Sequence, residues 1–209
     1  MARIELWNGD ICDLEVDAIV NPANLSLWMA TGVGGAIKRA GGDSIEFAAV
    51  RQAPVPLGDA IVTAAGTLAA RYVIHAVSLD RDRRTSASAI EAAARSAMAC
   101  AREIGVRSIA FPALGTGVGG FPLQEAAEVT VAAVRDECTR SPGVEVVTFA
   151  LRGTAAYEAF DGAIRATAVT TTGATPDAGA TTTLTGASVA TATAPGTHAS
   201  IDGQPAGVA

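Results

Sequence analysis

The chain has 209 residues, enough for one domain with a sizeable core or for two small ones. Its 15 Lys and Arg stand against 21 Asp and Glu, a net charge of -6, and Lys38 is the one lysine. An acidic chain without a basic run is a poor candidate for nonspecific grip on nucleic acid or on an anionic membrane. No apolar run approaches the length of a membrane span and MARIELWNGD carries no apolar signal core, so the expected location is cytoplasmic. Cys12, Cys100 and Cys138 are odd in number and form no CxxC pair, which suggests neither a disulfide framework nor a zinc site; no metal and no cofactor is expected.

In chain order, Arg3 to Asn8 alternates apolar and polar residues and predicts a first strand. Asp10, following Gly9, is either a turn or cap residue or a carboxylate at the rim of a ligand pocket. Ala18 to Asn21 predicts a buried strand that stops at Pro22, within NPAN at 21–24. The glycine cluster TGVGGAIKRAGG at 31–42 opens a helix, and Asp43 caps another that runs to about Arg51. Ile61 to Ala64 and Tyr72 to Val77 are strands joined by a turn at Gly66, with His75 in YVIHAV as a core histidine. Leu79 to Thr85 is a solvated charged loop. Ser86 caps a helix to about Gly105 whose apolar stripe of Ile90, Ala94, Ala97, Ala101 and Ile104 lies opposite a Glu91–Arg95 pair.

Val106 to Pro112 is the next strand, and Leu123, Ala127, Val131, Val134 and Cys138 recur at helical spacing. Between them lies ALGTGVGGFP, residues 113–122, with Gly115, Gly117, Gly119 and Gly120 in a strand-to-helix turn. Four glycines there imply unusual dihedrals or a close approach to a ligand, and free N–H groups with a positive dipole end make phosphate the natural one. A strand from Val144 to Leu151 and a helix from about Thr154 to Ala166 follow. From Thr167 to Ala209, His198 included, there is no Lys, Arg or aromatic residue; the division is therefore 1–166 as the domain and 167–209 as a disordered Thr/Ala/Gly-rich tail or linker.

Strands alternating with helices predict an α/β fold, a three-layer α/β/α sandwich with a mixed central sheet, and ligands in such folds sit beyond the carboxyl ends of the strands, where both glycine loops fall. GTGVGG formally satisfies the dinucleotide pattern G-x-G-x-x-G. It follows a late strand, however, and the next strand ends in Leu151 and Arg152 with no acidic residue to hold a ribose. No GK[ST] is present, so a nucleoside triphosphate P-loop is excluded as a simple match.

Taken together, NGDI at 8–11, VNPAN at 20–24, GVGGAIKRAGG at 32–42, the GDAIVTAAG and YVIHAV strands and SIAFPALGTGVGGFPLQEAA at 108–127 resemble the macrodomain, the ADP-ribose-binding module, in register over about residues 2–165. The resemblance implies that Asp10 accepts from the adenine amino group beside the Ile11 backbone and that Asn24 faces the distal ribose. It implies further that Gly32, Val33, Gly34, Gly35, Ala36 and Ile37 form one loop around the diphosphate. Gly115, Thr116, Gly117, Val118, Gly119, Gly120 and Phe121 form the other, with Phe121 against the distal ribose.

Three positions depart from the family pattern. Gly34 stands where hydrolytic members usually carry aspartate, Lys38 where a histidine is common, and Arg152, with Phe149 nearby, where an aromatic side chain stacks on adenine; a guanidinium plane can also stack on a base. The expected function is a binder of ADP-ribose or a related NAD metabolite, free or on ADP-ribosylated proteins. The alternative is a hydrolase removing ADP-ribose from acidic side chains or deacetylating O-acetyl-ADP-ribose, with Asn24 as its catalytic residue.

Overall fold

The computed structural model describes residues 2–140 and 142–172. Six strands, β1 (Arg3–Asn8), β2 (Ala18–Asn24), β3 (Ala60–Ala64), β4 (Tyr72–Leu79), β5 (Ser108–Phe111) and β6 (Val146–Leu151), form one sheet in the order β1-β6-β5-β2-β4-β3. Every neighbouring pair is parallel except β3 with β4, so the sheet is mixed, with an antiparallel strand at one edge. Five helices cover it: α1 (Gly32–Gly41), α2 (Asp43–Val50), α3 (Ala87–Glu103), α4 (Leu123–Arg140) and α5 (Thr154–Thr172). Among the described residues no helix is long and apolar enough to cross a membrane.

The two-residue period of the strands sorts side chains into two cores. Ala18, Val20, Ile74, Ala76, Ile109, Phe111, Val147, Phe149 and Leu151 pack with Ile90, Met98, Val131 and Phe160 under α3, α4 and α5. The alternate positions Ile19, Val73, Ala110 and Ala150 pack with Ile37 and Ile45 of α1 and α2. This is the expected α/β/α sandwich. Arg95 of α3 pairs with Glu91 and reaches Asp136 and Glu137 of α4, while Arg102 adds a 2.9 Å bond to Glu137, so an ionic seam ties these helices above their apolar contact.

Several elements differ from expectation. β2 does not stop at Pro22 but runs to Asn24, with Pro22 opposite Ala76 of β4. On its other side β2 pairs with β5 only at Ala18 and Ile19, so the ladder has ended before the missing proline N–H would be needed. Asp43 lies inside the first turn of α2, whose cap position is Gly42. α5 continues beyond Ala166 to Thr172, and Thr167 Oγ1 bonds back to Ala163 O at 2.9 Å. The remainder of the stretch expected to be a tail, residues 173–209 with His198, lies outside the described residues.

At the amino-terminal edge of the sheet, one carboxylate joins β2 to β5. Asp17 Oδ2 accepts from Arg107 N at 2.9 Å and from Ser108 N and Oγ at 3.0 and 3.1 Å, while Asp17 N donates to Ser108 Oγ at 2.8 Å. The Arg107 N–H, chief among these donors, holds the Asp17 carboxyl below its ordinary value of 3.8 against the opposing effect of burial. Asp17→Ala is expected to cost about 1–3 kcal/mol in chemical denaturation, since two backbone N–H groups lose a charged acceptor. The folded-state pKa lies below the unfolded one, so this contribution is present above pH 3.8 and is lost as pH falls through the folded value. The wild type should therefore lose more stability on acidification than the variant does.

Candidate functional site

The carboxyl ends of the parallel strands open into a cleft of about 520 Å³, within the range of small-molecule sites. Its lining follows the strand order. Asp10, Ile11, Leu151, Arg152 and Ala156 lie at the β1/β6 end, and Pro112, Ala113 and the Gly115–Gly119 loop follow β5. Asn21, Pro22, Asn24 and Trp28 follow β2, and Leu79 and Arg83 follow β4. The first turn of α1 contributes Gly32, Val33, Gly34 and Ala36, and its outer face Arg39.

α1 begins at Gly32 because Thr31 adopts extended φ and ψ, although the threonine side chain makes no capping bond. The first-turn N–H groups have no intrahelical partner, so this end presents donors and the positive end of its dipole to the cleft. Gly35 and Ile37 do not share that role. Gly35 N is already bonded to Thr31 O at 3.0 Å, and Ile37, about 200° further round the helix, is fully buried in the core.

The second glycine loop is closed by its own backbone, with Phe121 N donating to Gly115 O at 3.1 Å and Gly120 N to Gly117 O at 3.1 Å. Gly115 and Gly120 take positive φ, 77° and 60°, which glycine adopts without strain. Gly119 is glycine for another reason: a Cβ there would lie 2.7 Å from Gly115 O and 2.9 Å from Leu79 Cδ2. A Cβ on Gly117 would meet nothing within 4 Å. Thr116, Gly117 and Val118 line the cleft. Gly120 and Phe121 do not, and Phe121 packs instead against the α3–α4 core.

Phe149 is a clear correction. It is fully buried between Phe111 and Phe160, with ring centroids 6.1 and 5.0 Å away, because its position on β6 faces the α3–α4–α5 layer. It has no access to the cleft, which leaves Arg152 as the planar side chain at this end. Asp10 plays both roles open to it in the sequence. Its Oδ1 accepts from Cys12 N at 3.1 Å and caps a short 3-10 turn, Ile11–Asp13; its Oδ2 pairs with the Arg152 guanidinium. Burial would raise the Asp10 pKa, but the Cys12 N–H and Arg152 outweigh it and hold the carboxyl below its ordinary value. Burial, aided by Asp10, pushes the neighbouring Cys12 thiol up to about 12, so no thiolate nucleophile is available there.

The asparagines of NPAN divide the work. Asn24 Oδ1 accepts from Ser26 N and Oγ at 3.0 and 2.7 Å, and Nδ2 donates to Trp28 O at 3.4 Å, so its amide braces the cleft lip. Leu27 in that lip is held at φ 60°. Asn21 is 2% exposed and reaches His75 from below the cleft floor. Lys38 stays out of the cleft, held at 2.5 Å by Glu46. The lining also holds Trp28, Arg39 and Arg83, which sequence reading missed, and Asn21, whose amide it left open to nearby backbone or a ligand. NPAN itself was a signal for Asn21, whereas Arg83 sits in a charged run that reads as solvated, and only the strand order brings it to the cleft.

The described residues of the lining include one carboxylate, Asp10, against Arg39, Arg83 and Arg152. In a chain of net charge -6 this concentrates positive potential at one place, beside an uncapped helix end and a loop of exposed backbone. The arrangement suits a ligand carrying phosphates.

Comparison with known proteins agrees with this geometry. A family model described as Macro domain matches residues 20–130, more than half of the chain. An uncharacterized protein of Mycobacterium tuberculosis is 45% identical over 166 residues, which are 79% of this chain; the chain spans only 46% of that relative's length. The O-acetyl-ADP-ribose deacetylase of Salmonella gallinarum is 43% identical over 154 residues, covering 71% of this chain and 86% of the enzyme. Among solved structures, the Trypanosoma brucei macrodomain in complex with ADP-ribose superposes with a TM-score of 0.72 at 29% identity, over 78% of this chain and 69% of that one. The sheet order, the two glycine loops and these matches make this chain a member of the Macro domain family.

Proposed function

We propose that the cleft binds ADP-ribose, free or attached to protein, and that the chain acts as a binding module. The observation that carries this reading is the composition of the lining: three arginines, a helix amino terminus and an open glycine loop, with the single carboxylate already paired to Arg152. Such a site neutralises a diphosphate but offers no free general base to chemistry in the middle of the cleft. In this reading the diphosphate lies between the first turn of α1 and the Gly115–Gly119 loop. Adenine lies at the Asp10 and Arg152 end, where the guanidinium face supplies a stacking plane and Asp10 keeps lone pairs for the exocyclic amine. The second ribose lies toward Asn21 and Asn24, whose amides suit hydroxyls. The structural domain that does this ends with α5. The three free cysteines favour a cytoplasmic setting.

Hydrolysis is the second reading, supported by the similarity to the Salmonella gallinarum deacetylase. Against fast turnover stands Gly34, which has no side chain to hold or activate water, while Asn24 is engaged in its own turn.

Calorimetry with ADP-ribose tests the main reading, and Asp10→Ala should weaken binding at least tenfold, since loss of a charge-assisted hydrogen bond is worth about 1.5–3 kcal/mol. An unchanged affinity would leave Asp10 as a turn cap alone. Gly117→Val is the cleaner probe of the loop: its Cβ meets nothing within 4 Å, so melting temperature should hold while the branched side chain fills ligand space and binding falls by about tenfold or more. Gly119→Val, by contrast, should lower stability, because its Cβ collides with Gly115 O and Leu79.

The wild type is expected to bind ADP-ribose but to remove it from acidic side chains slowly or not at all in a turnover assay. Gly34 lies in a helical turn outside the positive-φ region, and a Cβ there approaches Asn21 Oδ1 at 3.0 Å, a conflict relieved by a shift of a few tenths of an ångström. Gly34→Asp should therefore fold and raise the rate, with general-base assistance worth about 10²–10⁴-fold where fully realised. Wild-type turnover matching that of the Salmonella gallinarum enzyme, measured side by side, would overturn this.

A further inference from the structure

Among the described residues, two that are not glycine are held in the left-handed region: Leu27 in the lip after β2 and Arg83 in the loop after β4, both at φ 60°. Leu27 has a packing reason, since its side chain is completely buried. Arg83 has none: it is exposed, and glycine or asparagine would fill such a turn with less strain. Its conformation is imposed by Asp80. The Asp80 carboxylate accepts from Asp82 N and Arg84 N, both at 2.8 Å, while Asp80 N donates to Arg84 O at 2.9 Å and Arg83 N to Asp80 O at 3.1 Å. The loop is thus closed on itself, with Arg83 among the cleft-lining residues. It is also fixed against the second glycine loop, where a Cβ on Gly119 would lie 2.9 Å from both Leu79 Cδ2 and Thr85 Cγ2. Although Asp80 and Asp82 are close in sequence, Arg83 makes no ion pair among the described residues.

We propose that Arg83 docks the polypeptide that carries the ADP-ribose, and that it selects segments with Asp or Glu beside the modified residue. This rests on the ADP-ribose reading above, in which the ligand ends at β2 with its second ribose. β4 lies one strand spacing farther, roughly 5 Å, and Arg83 follows it. In a protein conjugate, that is where the carrier chain begins. A guanidinium without a partner carboxylate is suited to take one from the carrier through two parallel hydrogen bonds. Trp28 and Val118, 60% and 52% exposed, also line the cleft and give such a segment apolar groups to cover. Arg39 does not share this role. A Cβ on Gly35 would meet Arg39 Nη1 at 3.2 Å and Ala30 O at 3.0 Å, so that guanidinium lies over the first turn of α1, with the diphosphate. A nucleic acid fits the rim less well, because it brings a charge at every nucleotide toward a chain of net charge -6. A peptide can set one carboxylate on Arg83 and present apolar groups elsewhere.

The test is calorimetry on the full chain with free ADP-ribose and with two synthetic peptides that carry it on a central glutamine, a stable stand-in for the glutamate ester. One peptide has aspartates on both sides of that residue, the other asparagines. Wild type should bind the aspartate conjugate about three- to tenfold more tightly than the asparagine conjugate, as expected for one charge-assisted contact at a partly open rim. In Arg83→Gly that ratio should fall below about twofold. Glycine takes φ 60° freely, so the loop should keep its shape and the melting temperature should hold or rise. Arg39→Ala removes the same charge from the α1 side; it should weaken all three ligands and leave the ratio as in wild type. Equal binding of the two conjugates by wild type overturns the proposal. So does a ratio that Arg83→Gly leaves unchanged, or one that Arg39→Ala lowers as much, since the preference would then belong to the general field of the cleft. ADP-ribose on a single-stranded oligodeoxynucleotide, bound more tightly than the aspartate peptide and losing that advantage in Arg83→Gly, would assign the rim to nucleic acid and also overturn it. Failure to bind even free ADP-ribose sinks the ligand reading and the docking with it, whereas free ADP-ribose bound without a preference between conjugates sinks the docking alone.

Discussion

The geometry of the cleft depends on one carboxylate that never touches it. Glu46, 5% exposed on α2, accepts from Met29 N at 2.7 Å through one oxygen and pairs with Lys38 Nζ at 2.5 Å through the other. It thereby joins the lip after β2, the body of α1 and the start of α2. Burial alone would push its pKa up; Lys38 and the Met29 N–H more than offset that and hold it below its ordinary value. Burying such a charge is tolerated only where both oxygens are engaged. Without this anchor, nothing polar among the described residues would fix the lip against the helix whose amino terminus faces the cleft. The same contact spends the chain's one lysine on structure, and the cleft's positive charge falls to arginines and backbone.

From this anchor the division of labour across the sheet follows. Parallel strands deliver their carboxyl ends to one edge, so residues far apart in sequence converge there in the order of the strands rather than of the chain. The β1/β6 end brings Asp10 and Arg152 together across more than 140 positions, a planar ion pair suited to a base. The middle is main chain and glycine. The β2/β4 end supplies amides and Arg83. A gradient from planar and charged to neutral and hydrogen-bonding matches the sequence of groups in a sugar nucleotide.

The elements that sequence reading located are those with strong local signals. Helical spacing of Leu123, Ala127, Val131 and Val134 marked α4, and the Ser86 cap marked the start of α3, where Ser86 Oγ accepts from Ala89 N at 3.2 Å. The glycine loops were legible because they place unusual backbone between a strand and a helix. What remained hidden depended on partners distant in sequence. Pro22 reads as a strand breaker, yet stays in β2 because β5 has already stopped pairing on that side. Phe149 was sought in the cleft since it lies three residues from Arg152, but strand alternation turns it to the opposite layer. Gly35 and Ile37 belong to the right segment, but the Gly35 N–H is already bonded to Thr31 O and Ile37 is buried in the core. His75 was read as a core residue, and burial agrees; its link to Asn21 is invisible without the register that sets β2 beside β4.

That register also slips once, between Ala23 and Asn24. The extra residue is Ser78 of β4, so β2 keeps its alternation with Asn21 and Asn24 on opposite faces; both line the cleft because β2 ends at its mouth, where the segment has only one length that fits. The tetrapeptide from Asn21 to Asn24 therefore behaves as a unit of fixed length. Point substitutions within it alter one contact, but a gain or loss of a single residue would rotate one asparagine out of the site and drag the lip and the start of α1 with it. Grafts between members of the family should accordingly exchange the whole segment from Asn21 through Thr31, leaving its length untouched even where its chemistry is rewritten.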